Sequence, residues 1–164
     1  VIGSARLLGL TLPENFDRPF LARNMIEFWN RWHISLTQWI RDYVFMTSYK
    51  WTATRWASLK RPAGYVLLFA ALFVAGVWHG STWNFVLFGV VHGLGVAAAS
   101  VYADALRARL GADGVKRYLQ NRWLRRAAVL GTFHYVCFSF LFFPSDLGKT
   151  ASMARAAAAA LGRL

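Results

Sequence analysis

Apolar and polar positions along this chain follow two rhythms, and each predicts a different kind of helix. From residue 24 to 46 the pattern is amphipathic. At 100° per residue Met25, Trp29, Trp32, His33, Leu36, Trp39, Ile40, Tyr43 and Val44 share one face. Glu27, Asn30, Arg31, Thr37, Gln38, Arg41 and Asp42 share the other, with Ile34 the one intruder. Asn24 stands where an N-cap belongs, and Glu27 three residues on completes a capping-box pattern. One continuous helix is expected over 24–46. It is too charged on one face to cross a bilayer alone, so it should lie in the interface or against other helices.

The second rhythm is the absence of charge. No Asp, Glu, Lys or Arg occurs between Ala63 and Ala103, and none between Ala127 and Ser145. A membrane helix needs about 20 apolar residues, so these runs predict spans over 63–82, 83–103 and 127–144. The first run of apolar residues closes at Trp78, followed by His79-Gly80-Ser81-Thr82, a backbone break at membrane depth. Within the second, Gly89 and Gly93 have the small-xxx-small spacing that lets helices approach closely. The fold class is therefore all-α: about three membrane spans plus one amphipathic interfacial helix. The Ala-rich stretch after residue 145 is a further helix candidate.

Composition agrees. The chain of 164 residues is 57% hydrophobic and 16% charged, against roughly 25% charged in soluble domains. Its formal net charge of +12 invites a nucleic-acid reading. The cations instead flank the apolar runs. Lys50, Arg55, Lys60 and Arg61 alternate with Trp51 and Trp56 before the first span, and residues 104–126 are again strongly basic. That is the positive-inside pattern of a cytoplasmic boundary, so a membrane-lipid surface and an acidic partner are expected and nucleic acid is not. A chain opening on Val1, already in mid-pattern, reads as part of a longer protein.

Two histidines stand out chemically. His33 lies in the middle of an aromatic face, and His79 lies at a helix break inside an uncharged run. Imidazole is the acid/base group nearest neutrality, and ionisable groups at membrane depth are costly unless used. The bland alternative for His79 is a hydrogen bond to a carbonyl freed by the break; for His33 it is packing among Trp29, Trp32 and Leu36. His92 and His134, alone within their spans, read as interhelical hydrogen-bonding groups. Cys137, the single cysteine, reads as a buried small hydrophobe. No HxxxH, HxH or GxSxG pattern occurs, so neither a metal site nor a nucleophile elbow is expected.

The stretches EFWNRWHISLTQWIRDYVF and VWHGSTWNFVLFGVVHG, preceded by PENFDRPF and followed by HYVCFSFLFF, resemble the membrane-bound O-acyltransferase family. The resemblance covers most of residues 10–144 and concerns the C-terminal part of that family, a multi-helix funnel with a central tunnel. EFWNRWH, RDYVFM and VCFSFLFF are most similar to the branch that transfers D-alanine to teichoic acid. PENF and WHISL are also similar to the alginate O-acetylation branch, whose YIPLGG-like stretch is replaced here by VFMTSYK.

The resemblance implies that His79 and His33 are catalytic and that Trp29, Trp32, Ser35, Trp78 and Trp83 line the tunnel. It implies no bound cofactor. The acyl donor would be a thioester on the phosphopantetheine arm of an acidic carrier protein, docked on the cytoplasmic side at Lys50, Arg55, Lys60 and Arg61. The acceptor would be an envelope polymer or lipid-linked hydroxyl outside the cytoplasmic membrane. The opposing reading is a transport or assembly subunit whose histidines line a passage. Together with the charge pattern, the resemblance puts the His33 helix near the cytoplasmic face and His79 a full span away.

Overall fold

The computed structural model describes residues 2–143 and 147–162, and among them the regular structure is helical. Helix α1 (Ile2–Leu7) leads through a loop and a 3-10 turn (Pro19–Leu21) to α2 (Met25–Arg31), α3 (Ile34–Trp39), a π-helical segment (Ile40–Phe45) and α4 (Met46–Arg55). A 3-10 turn at Ala57–Leu59 then opens onto α5 (Lys60–Trp78), α6 (Trp83–Gln120), α7 (Arg122–Phe140) and α8 (Leu147–Leu161).

Helices α5 and α6 form the central antiparallel pair. Their closeness comes from glycine. A Cβ on Gly89 would stand 2.8 Å from the carbonyl oxygen of Phe73, and one on Gly93 would stand 2.7 Å from that of Phe69. The small residues expected to pack the spans therefore do so backbone to backbone. These two helices are long and apolar enough to cross a membrane. Their outward positions Val66, Val74 and Leu94 are exposed, as lipid-facing residues would be.

Helix α7 covers the expected span 127–144 as far as Phe140 but falls short on composition. Its first turns carry Arg122, Arg125 and Arg126, leaving an apolar stretch of about 21 Å against a hydrocarbon core of about 30 Å. Residues 144–146 lie outside the described region. Helix α6 runs past the expected boundary at residue 103 because the charged residues beyond it are good helix formers, and Asp104 accepts a 2.7 Å hydrogen bond from Tyr65 on α5. It ends its straight course at Gly111, whose φ of 64° reverses the chain. Tyr102 and Tyr118 then share a hydroxyl–hydroxyl bond of 2.8 Å, although sixteen residues of straight helix would separate them by about 24 Å.

The continuous helix expected over 24–46 is not found. The stretch starts as expected, with Asn24 accepting from the amide of Glu27 at 2.8 Å. It breaks at Trp32, which is extended, and at His33, which is left-handed (φ 48°, ψ 54°). From there α3 and the π segment turn back. Met25, Phe28 and Trp29 of α2 pack with Val96 of α6 and Val136 of α7. Leu36, Ile40 and Val44 of the return arm pack with Ala71, Leu72 and Ala75 of α5.

The stretch is thus a hairpin wedged against the central pair, with Trp32 and His33 at its tip. The wheel had the wrong geometry because a 100° step holds only while φ and ψ stay helical. The loop before α2 competes for the backbone at this point. Asp17 N donates to Arg31 O and Ile34 N donates to Asn15 O, both at 2.9 Å, and Ser35 N donates to Asn15 Oδ1 at 2.8 Å.

Candidate active site

At the hairpin tip, His33 is a non-glycine residue in the left-handed region, a conformation costing about 1–3 kcal/mol that persists only where surroundings enforce it. The enforcing contacts are the three hydrogen bonds from residues 15–17 and the ring of Phe16, 4.9 Å from Trp32 and 6.2 Å from His33. The Nδ1 of His33 is buried and has no hydrogen-bond partner among the described residues. Leaving such an atom unpaired costs about 1–3 kcal/mol, which is unusual for a merely packed histidine.

His79 caps α5, its amide donating to Gly76 O at 3.1 Å. Its imidazole stands among the rings of Trp78 (5.2 Å), Phe143 (5.5 Å), Phe85 (6.0 Å) and Phe88 (6.3 Å), with one side open. Gly80 is needed beside it: a Cβ there would stand 2.7 Å from the Phe85 ring that stacks on His79.

The hairpin tip and His79 border the same aromatic layer: Trp32, next to His33, reaches Phe140, and Phe140 reaches the Phe88 and Phe143 rings that touch His79. This corrects the expected separation by a full span. The hairpin carries His33 inward from the basic end of the bundle, because each of its arms has an apolar stripe that finds a different central helix. An aromatic layer joins the two groups: Trp32 contacts Phe140 at 5.6 Å, and Phe140 contacts Phe88 and Phe143 at 6.2 Å each.

The other expected site residues divide. Trp29 is buried and lines an apolar cavity of about 170 Å³ between the hairpin arms and the central pair. Trp32 belongs to the aromatic layer, and Trp78 touches His79. Ser35 is exposed and enters the site only through its amide, while Trp83 faces outward at the start of α6.

Lys60 and Arg61 line a second, more polar cavity of about 350 Å³ together with Arg107, Asp104 and Tyr65. Lys50 and Arg55 lie exposed on α4 outside that lining. The two cavities share Ile26, Phe45 and Leu68, so a basic cavity lies directly beside an apolar one. Among the described residues no group of three His, Cys, Asp or Glu gathers to hold a metal.

Sequence reasoning missed Asn15, which has no periodicity to announce it, and the ring layer of Phe88, Phe140 and Phe143. The apolar repeat of α7 carried the only signal for that layer. Two lesser readings change as well. Cys137 is exposed on α7, and His134 bonds back to Leu130 O of its own helix at 2.7 Å instead of crossing to another. His92 does bridge helices.

The model of the membrane-bound O-acyltransferase family matches residues 2–141, which includes both histidines and the aromatic layer up to Leu141. The chain belongs to this family. It is 34% identical over 143 residues to the teichoic acid D-alanyltransferase of Bacillus subtilis, covering 87% of this chain and 35% of that protein. It is likewise 34% identical to the teichoic acid D-alanyltransferase of Streptococcus thermophilus, again over 87% of this chain and 35% of that protein. The probable alginate O-acetylase of Azotobacter vinelandii is 33% identical over 58% of this chain and 18% of its own length. This family member therefore spans about a third of the length of the D-alanyltransferases it matches.

Proposed function

We propose that this chain is the histidine-bearing part of a membrane O-acyltransferase that moves D-alanine from a carrier-protein thioester to hydroxyls of a teichoic acid or similar envelope polymer, working in the cytoplasmic membrane. The observation that carries the reading is the continuous aromatic layer that runs from Trp32, beside His33 at the hairpin tip, through Phe140 to Phe88 and Phe143 beside His79. An imidazole at the open side of an aromatic layer suits a general base. His79 takes the proton of the acceptor hydroxyl as its oxygen bonds to the acyl carbon. The carbon–sulfur bond breaks, and the proton passes to the departing thiolate. His33, with its unpaired Nδ1, holds a polar atom of the acyl donor, and the surrounding rings keep competing water out.

The two adjacent cavities suit a donor with an anionic head and a slender arm. Lys60, Arg61 and Arg107 in the basic cavity suit the phosphate of a phosphopantetheine arm and the acidic protein that carries it. The apolar cavity suits the arm. Longer coverage by the D-alanyltransferases than by the alginate branch favours D-alanine over acetate.

The test is acyl transfer by the full-length membrane protein, supplied with labelled D-alanyl or acetyl donor. His79→Ala is expected to abolish labelled polymer. Activity near wild type would sink the assignment, acetyl transfer alone would move the protein to the second branch, and donor relocation without ester formation would make it a transport subunit.

A further inference from the structure

We propose that His92 is a positioning residue that fixes where His33 stands relative to His79. The inference rests on the reading that these two histidines perform the transfer, but its observations are separate. His92 is buried in the middle of α6, at 1% exposure. Trp29 Nε1 reaches its Nδ1 at 3.2 Å, and its Nε2 lies 2.7 Å from Ser139 Oγ. Ser139 Oγ in turn donates to Val136 O at 2.7 Å.

An indole N–H can only donate, so Nδ1 is the bare nitrogen and the proton sits on Nε2. The hydroxyl, already donating to Val136, accepts from Nε2. Each group therefore has one role, and the direction runs Trp29 to His92 to Ser139 to the α7 backbone. A neutral imidazole in this tautomer completes the chain, and no aliphatic side chain would.

The chain joins three elements that contain or flank the site. Trp29 lies in the last turn of α2, just before the break at Trp32 and His33, so its indole sets the depth and rotation of the hairpin arm that ends at the tip. Ser139 adjoins Phe140, whose ring touches Trp32. The His92 ring itself packs 4.2 Å from Phe88, which touches His79. His92 thus connects to His33 through Trp29 and to His79 through Phe88, without touching the reacting atoms.

The test uses the full-length protein in membranes, with His92→Ala, His92→Gln, Trp29→Phe and Ser139→Ala. Gln retains a neutral acceptor and donor. His92→Ala is expected to lower kcat about 100-fold, the scale of a misplacement of about 1 Å. KM for the donor should stay within about twofold, and His92→Gln should recover most of the loss. Trp29→Phe combined with His92→Ala should cost no more than the worse single change, because both cut one chain.

A readout independent of catalysis is the distance between spin labels at Gln38 and Ser81, both exposed, in a background where Cys137 and any other cysteine of the full-length protein are replaced by serine. His92→Ala should broaden or shift that distance, and His92→Gln should restore it. An unchanged distance, additive effects, or a loss of kcat that only follows loss of folded protein would overturn the proposal. If His79→Ala keeps full activity, the catalytic reading fails, and the label distance still decides whether His92 positions the hairpin.

Discussion

Gly76 and Gly89 meet with no room between them: a Cβ on Gly76 would fall onto the Cα and amide nitrogen of Gly89. The contact lies three residues before His79, so the closest approach of the two central helices is also what holds the histidine at the head of α6. Backbone atoms cannot swing aside as a side-chain tip can. Gly76→Val is therefore expected to destabilise by about 1–3 kcal/mol or more and to displace His79. Gly131, on α7 with none of the described residues crowding it, is the control. Gly131→Ala should be neutral or stabilising by about 0.5–1 kcal/mol. Thermal unfolding of the full-length protein in detergent separates the two, and equal behaviour would show that the glycine contact is not tight.

His33 pays a backbone strain that its side chain makes worthwhile only if the imidazole is used. Glycine adopts its left-handed φ freely and alanine does not. Both His33→Gly and His33→Ala should lose acyl transfer. His33→Gly should nevertheless be the more stable of the two by about 1 kcal/mol, the reverse of their order at an ordinary helical site. Measured melting temperatures in the opposite order would mean that the tip relaxes and that its geometry is not imposed by residues 15–17.

The central pair was legible in the sequence because a charge-free run and paired glycines each have a direct physical consequence in a bilayer. The misplacement of His33 and His79 among apolar neighbours was legible as well, and the structure sets both beside one aromatic layer. The hairpin was not. Nothing in the periodicity of residues 24–46 marks Trp32–His33 as a break, since the bonds that enforce it come from Asn15 and Asp17, outside the helix pattern. A helical wheel reports one element, whereas this turn is decided between two. For the same reason Trp29, which the wheel put on the apolar face and the resemblance on a tunnel wall, proved to be hydrogen-bonded to His92 as well.

Glu27 offers a test of the hairpin's outer face. Burial raises its carboxyl pKa, but hydrogen bonds from the Arg23 side chain and amide, with the charges of Arg23 and Arg31, outweigh this and hold it below the usual range. Its contacts are short: 2.8 Å from Arg23 Nε and 2.6 Å from Arg31 Nη2. A carboxyl whose folded pKa is depressed stabilises the fold above its unfolded pKa and loses that contribution as pH falls through the folded value. The stability gap between wild type and Glu27→Gln should be full near neutrality and close on acidification below about pH 4. Its size should be modest, roughly 0.2–0.5 kcal/mol for each i,i+4 pair. A gap independent of pH would show that packing, not charge, is what the substitution removes.

The basic cavity yields the sharpest separation between docking and chemistry. Lys60, Arg61 and Arg107 surround one acid, Asp104, whose carboxylate already accepts from Tyr65. If an acidic carrier protein brings the donor here, reversing two cations must slow encounter while leaving the His33–His79 layer intact. The double change Lys60→Glu, Arg61→Glu should lower kcat/KM for the carrier-bound donor about tenfold at low salt. The deficit should shrink as salt rises to about 0.5 M, where screening acts over less than about 8 Å. A small soluble thioester, which has no carrier to steer, should be turned over equally by both proteins. Asp104→Asn, which removes the one negative charge but keeps an acceptor for Tyr65, should move carrier-dependent activity the other way. A salt-independent loss shared by both donors would mean that these cations support the fold or the chemistry, and the docking surface would then have to be sought at Lys50 and Arg55 on α4.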